Sequence, residues 1–535
     1  MFGMVSQEIV IEKLNGYFKS QNLPLKFDEE GICNGLAYVY AQYALSGDED
    51  KFKRILKAIA NNKISEAMSD ADVELFVTRV ILSFIPEVFN KELSQATAIQ
   101  ALGKSVESVF QIGMVLDSSN WQALLKDIDL QDDEVMVVNS INHTISISKK
   151  NGKYVLYDPN YWYGFHTLSN EQKLVQELQD NVFSTTPPLG MRINIVKKTT
   201  HLTTTPNLKR DPLTLYQRYL PKENINATAT AGKSHTNNLL LAIECNDEKS
   251  ILYLLENGAT VTPVALAKAV TGNHTKVIQH LLLDKSIDES MLNQCLLIAL
   301  NTGRTGAFNT LLANEKCATL FNTRFLSTNK SMLINAAAKG GNVDLLKDIL
   351  NRCHQEHTKH HGFSETMKRH NHVKDALVNA IKGGSPHCVK LLVQECHNHR
   401  IEIDEATRLY CLMAAIKSNQ LYVFQTLIAE IPPEDLPKLV LKLHLVDKTN
   451  VFILKELQNH GVAFSEHAQA IIQRKERNSI RLLETLGIFL EKFMDYLSKK
   501  EDISVNPNRF FQPKQDTEKT PISPHLTPLG KSSLE

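Results

Sequence analysis

The chain has 535 residues, with 59 Lys plus Arg against 59 Asp plus Glu. That length predicts two or more domains, and a hydrophobic content of 43% is ordinary for a soluble globular protein. The charge balance removes any overall electrostatic reason for direct binding to nucleic acid, and no uninterrupted apolar run reaches the length of a membrane span.

The first residues, Met1 to Glu8, carry neither a basic start nor an apolar stretch of signal-peptide length. Eight cysteines spread over so long a chain do not make a disulfide framework. Reduced thiols in a cytosol are expected, and another cell's cytosol, reached without a signal peptide, would leave the same signature.

Residues 1–200 mix two periodicities. Leu36, Val39, Tyr40, Tyr43 and Ala44 recur as one helical face, with Gly47 as a stop. Strand-like runs follow at Val135 to Val138, Thr144 to Ser148, Tyr154 to Tyr157 and Met191 to Val196. Helices first and strands later predict an α+β domain.

Within it, Cys33 is the sole cysteine before Cys245, and it sits at the mouth of the predicted helix in Gly31-Ile32-Cys33-Asn34-Gly35. There a sulfur meets the positive end of the helix dipole, which favours the thiolate. Asn151-Gly152 is a two-residue hairpin signal. Pairing across it sets Ser148 opposite Val155, Ile145 opposite Asp158 and His143 opposite Asn160. His143 and Asp158 then lie diagonally on one face, within reach of an imidazole–carboxylate hydrogen bond. A buried core cysteine, a structural histidine and an Asp-Pro-Asn turn would account for each residue singly; their joint occurrence with matching parity points to a thiol nucleophile, a base and an orienting carboxylate. His166 is the reserve histidine.

Gly31-Ile32-Cys33, Asn142-His143 and Asp158-Pro159-Asn160 together resemble the papain-like cysteine proteases of bacterial effectors, the YopT-like clan in particular. The resemblance implies a thiol peptidase fold with Cys33 as nucleophile, His143 as base and Asp158 as orienter. Such enzymes usually carry an Asn or Gln a few residues before the nucleophile to bind the oxyanion. Here that stretch holds Asp28, Glu29 and Glu30, whose charge would repel one. The backbone N–H of Cys33 is the remaining donor.

Residues 201–235, rich in Thr, Ala and Asn with several Pro, read as a linker with a short helix at Leu213 to Tyr219. From 236 to 463 the sequence repeats. A buried-type Ala is followed twelve residues later by Leu or Ile at Ala242/Leu254, Ala269/Leu281, Ala299/Leu311, Ala337/Ile349, Ala380/Leu392 and Ala415/Leu427, with polar Gly/Asn turns between. This is the helix–turn–helix pattern of ankyrin repeats, about six or seven of them, although the Thr-Pro-Leu-His start is absent and insertions fall at 314–330 and 351–372. Residues 464–500 are expected to cap the array and 501–535 to be disordered.

In the second insertion His354, His357 and His361 share a helical spacing that suits metal ligands. Without a second cysteine or fixed framework, no metal and no cofactor is expected; a solvated loop or a partner-contact finger explains the same residues. The layout as a whole resembles the ankyrin-repeat effectors of Legionella-type intracellular bacteria. That implies type IV secretion into the host cytosol or nucleus, and a host protein held by the repeats, by a monomer with no membrane span. Three functions remain open: a thiol hydrolase, an inactive scaffold working through the repeats, and a deamidase or transglutaminase.

Overall fold

The structure, a computed structural model, describes residues 4–20, 27, 31–63, 75–77, 79–80, 83, 106–198, 208–355, 372–418, 420–431, 436, 451–466, 468–470 and 472–473. Three helices come first: α1 (Gln7–Ser20), α2 (Cys33–Ser46) and α3 (Glu49–Ala60). A sheet follows, built from β1 (Val106–Leu116), β2 (Glu134–Asn139), β3 (Thr144–Lys150), β4 (Lys153–Tyr157), β5 (Phe165–Leu168) and β6 (Leu189–Lys198). Helix α4 (Ser118–Ile128) lies between β1 and β2, and α5 (Glu171–Glu177) between β5 and β6. The strand order is β1-β6-β2-β3-β4-β5, antiparallel throughout.

Alternation along the strands sends side chains to opposite faces. Val135, Val137, Val196 and Tyr157 pack against Val10, Leu14, Val39, Tyr40 and Leu56 of the first three helices. Met136, Val138, Ile147, Ile193 and Ile195 face the other way, onto Trp121 and Leu124 of α4 and Leu174 of α5. Helix α2 is buried along most of its length. Two side chains of β3 fix it on the sheet: Ser146 Oγ donates to Ala37 O at 2.7 Å, and Ser148 Oγ lies 3.2 Å from Tyr40 Oη. Gly47 caps the helix C-terminus with φ 76°, where the sequence placed the stop.

The stretch expected to be a linker is folded in its described part. It carries the anticipated helix, α6 (Pro212–Tyr219), and an unanticipated hairpin of β7 (Thr228–Ala231) and β8 (Ser234–Asn237). The small alternating Thr and Ala side chains let this hairpin lie close over β6, where Ala229 crowds Gly190. The next helix, α7 (Asn238–Glu244), docks directly on β1. Asn238 Oδ1 accepts from Val115 N–H at 2.7 Å, and a Cβ at Gly113 would come within 2.8 Å of Leu241 Cβ. Gly113 therefore permits a backbone approach that a side chain would block.

From α7 onward the chain forms helical pairs. They are α7 with α8 (Glu248–Glu256), α9 (Pro263–Thr271) with α10 (Thr275–Leu281), and α11 (Glu289–Thr302) with α12 (Thr305–Leu312). After α13 (Glu315–Leu320) come α14 (Lys330–Gly340) with α15 (Val343–Gln355), α16 (His372–Lys382) with α17 (Pro386–Asn398), and α18 (Glu405–Lys417) with α19 (Leu421–Ile428). First helices contact first helices of the next pair, and most second helices do likewise, so the pairs stack. All twelve Ala and Leu/Ile positions of the repeat pattern are buried. Asn246, Asn273, Gly303, Gly341 and Gly384 hold the intervening turns in the left-handed region. The first insertion is folded: its Phe321 and Phe325 are buried in the stack. Residues 356–371 of the second insertion, with His357 and His361, lie outside the described residues, as do most of 464–500 and all of 501–535. No helix among the described residues is long and apolar enough to cross a membrane.

Candidate active site

Cys33 is the first residue of α2, preceded by Gly31 and by Ile32, an N-cap residue with no side-chain cap. The helix is pressed on β2 and β3, so its N-terminus meets the segment just before β3, where His143 lies. The β3–β4 ladder has the register read from the sequence, with Ser148 opposite Val155. It ends at Ser146 and Tyr157, leaving His143 and Asp158 just past its last rung. There His143 Nε2 is 2.7 Å from Asp158 Oδ1, both residues being buried. Nε2 is thus committed to Asp158, and the ring's hydrogen bond to Cys33 falls to Nδ1.

The Cys33 thiol is only partly buried. Burial pushes its pKa up, but the His143 hydrogen bond and charge, with the backbone N–H groups of Thr144 and Asn34, outweigh that and hold it below the ordinary value. Burial also opposes protonation of His143; the Asp158 carboxylate and Cys33 overcome it and raise the imidazole to about 9. The two shifts share one origin, the contact between thiol and imidazole, in which each group favours the charged form of the other. Asp158 is itself held in place: Oδ1 accepts from Asn160 N–H at 2.8 Å, and its own N–H donates to Gly164 O at 3.0 Å.

Other groups close around the ring. Phe183 meets His143 edge-on, with centroids 6.3 Å apart. Asn160 Nδ2 lies 3.4 Å from Nε2 and 3.5 Å from Nδ1, hence beside the ring rather than in line with one nitrogen. Sequence reasoning placed Asn160 opposite His143 but gave it no part, and Phe183 and Gln7 carried no local signal. The acidic run Asp28, Glu29 and Glu30 lies outside the described residues.

The reserve histidine goes elsewhere. His166 Nδ1 is 3.0 Å from Glu177 Oε1, a carboxylate supplied by the helix after β5 and away from Cys33's partner His143. In the second insertion, His354 of α15 meets Glu395 and His399 of α17 and its cap, the one group of this kind among the described residues. His354 Nε2 is 3.0 Å and His399 Nε2 3.6 Å from Glu395 Oε2. The two rings are stacked, 4.9 Å apart and 18° from parallel. An imidazole binds metal in its ring plane, so stacked rings do not aim at a common ion, and the contacts describe imidazoles sharing a carboxylate.

A family model described as Yersinia/Haemophilus virulence surface antigen, Peptidase C58, matches residues 13–192. The match supports a papain-like cysteine protease domain over the helix-and-sheet unit and covers about a third of the chain. No curated protein and no solved structure matches the chain.

Proposed function

We propose that residues 1–200 act as a thiol hydrolase on a protein of the host cell, as part of a bacterial effector. The stacked pairs of 236–463 are, in this reading, ankyrin-type repeats that hold the protein acted upon. The observation that carries the chemistry is the His143–Asp158 contact of 2.7 Å behind a Cys33 thiol held below its ordinary pKa.

The Cys33 thiolate attacks a carbonyl carbon, forming a C–S bond and an oxyanion that the Cys33 backbone N–H can meet. Imidazolium His143 passes its proton to the leaving nitrogen as the C–N bond breaks. Water then attacks the thioester while His143 takes its proton, the acid leaves, and thiolate and imidazolium re-form. Asp158 keeps the imidazole in one orientation throughout. A Gln side-chain amide in place of a peptide would give deamidation with release of ammonia, and an amine in place of water would give transamidation.

An activity-based thiol probe tests this reading. It should label the intact protein at neutral pH and fail to label Cys33→Ala. Absent labelling, with the cellular phenotype intact in Cys33→Ala, would favour the scaffold reading. That reading draws on the acidic run Asp28 to Glu30, which replaces the usual oxyanion donor.

A further inference from the structure

The N-terminal segment is bound to the loop that carries Asp158. Val5 N–H donates to Trp162 O at 2.7 Å and Gln7 N–H to Pro159 O at 2.6 Å. The Gln7 side chain goes further and bridges two loops of the candidate site. Its Oε1 accepts from Ile32 N–H at 2.9 Å, and its Nε2 donates to Asn160 Oδ1 at 2.5 Å.

The orientation of this chain of amides follows from one group. A backbone N–H can only donate, so the Gln7 atom facing Ile32 must be the oxygen. The atom facing Asn160 is then the Gln7 nitrogen, and the Asn160 atom receiving it must be oxygen. The Asn160 NH₂ is left turned to His143, at 3.4 and 3.5 Å from its two nitrogens. Neither amide is free to flip without leaving two donors or two acceptors face to face.

Gly31 makes room for the bridge. With φ +115°, it presents no Cβ, and one built there would meet Gln7 Oε1 at 3.0 Å and Nε2 at 3.2 Å. Ile32 caps α2 without a side-chain hydrogen bond, so Gln7 supplies from another helix what a local capping residue would supply in sequence.

We infer that Gln7 is a positioning residue for the Cys33–His143 pair: it fixes the backbone that aims Cys33 and the amide of Asn160 that flanks His143. The inference rests on the thiol-hydrolase reading for its purpose, and on geometry alone for its effect.

The test uses the full-length chain with Gln7→Met, which keeps the length and removes the amide, and Asn160→Ala, which reaches the same link from its exposed end. Two readouts are taken after thermal unfolding shows each variant folded. They are the pH profile of Cys33 alkylation by iodoacetamide and the NMR titration of the His143 imidazole. Gln7→Met is expected to slow alkylation at pH 6 by about three- to tenfold, the worth of one or two such hydrogen bonds, and to move its profile to higher pH. The His143 titration should shift in both variants, with no further His143 shift when the two are combined, because both cut one chain. An alkylation profile and a His143 titration that are unchanged in Gln7→Met would overturn the assignment. Failure of the wild type to be alkylated would instead sink the hydrolase reading, and the His143 titration would still decide the role of Gln7.

Discussion

The thiols of the helix-and-sheet unit and of the stacked pairs have been driven in opposite directions. Cys245, Cys295 and Cys411 are pushed up to about 12, and Cys317 and Cys396 to about 11, by burial in the helical stack. Cys33 is subject to the same penalty, yet lies below its ordinary value. The difference is made by three groups around the sulfur: the His143 imidazole, whose charge Asp158 balances, and the backbone N–H groups of Thr144 and Asn34. Arg192 lowers Cys245 as well, but that charge alone does not offset its burial. A reactive thiol requires hydrogen bonds to the sulfur, not merely a positive neighbour.

The sharpest way to break this comparison is to count reactive thiols. At neutral pH the native protein should show one fast-alkylating cysteine, absent from Cys33→Ala, whereas denaturant should expose all eight. A thiol at 11 to 12 holds only about 10⁻⁴ or less of its population as thiolate at pH 7. A second fast site in the native protein would contradict the burial argument.

His143→Ala removes the largest stabilising contact of the thiolate, and alkylation near pH 6 should fall about a hundredfold. Asp158→Asn leaves the imidazole in place but uncharged behind; a fall of about tenfold, with His143 titrating lower by NMR, is expected. Turnover needs an imidazolium for the leaving group, so it should decline as pH rises through about 9, while alkylation by a neutral reagent persists. The same raised value links to stability: it exceeds the ordinary 6.5, so the contribution of His143 is fully present below about pH 6.5 and lost as pH rises through about 9. Thermal melts across that range measure it.

The smallest effect on the site should come from the stack. Leu311→Ala, at a fully buried position of α12, should cost about 2–5 kcal/mol in the unfolding of the helical part. Its Cys33 alkylation rate should match wild type, and a large drop would show that the two regions titrate as one.

The site was legible where local rules carry it. A two-residue turn sets strand parity, so His143 and Asp158 could be brought together on paper, and Cys33 could be set at a helix start. The six buried Ala and Leu/Ile pairs follow from a fixed spacing of twelve. Strand β1 was not read from the sequence; its Gly113 is kept small by Leu241 of another element, a packing reason that no local pattern displays. Strand β5 is four residues long, with His166 and Thr167 exposed, too short for an alternation to register. Gln7 lies 25 residues before Ile32 on a separate helix; nothing local to either residue announces their hydrogen bond. Folding brings such partners together through packing, and a single sequence does not display it.

The seating of α7 on β1 has a mechanical corollary. With Asn238 bonded to Val115 and Leu241 filling the gap at Gly113, the first helix of the stack is seated directly on the sheet. On the proposed function, a protein clasped along the stack would meet Cys33 by reach and bearing rather than by diffusion on a leash, so lengthening or shortening the array by one pair would move the point of attack along the captured chain.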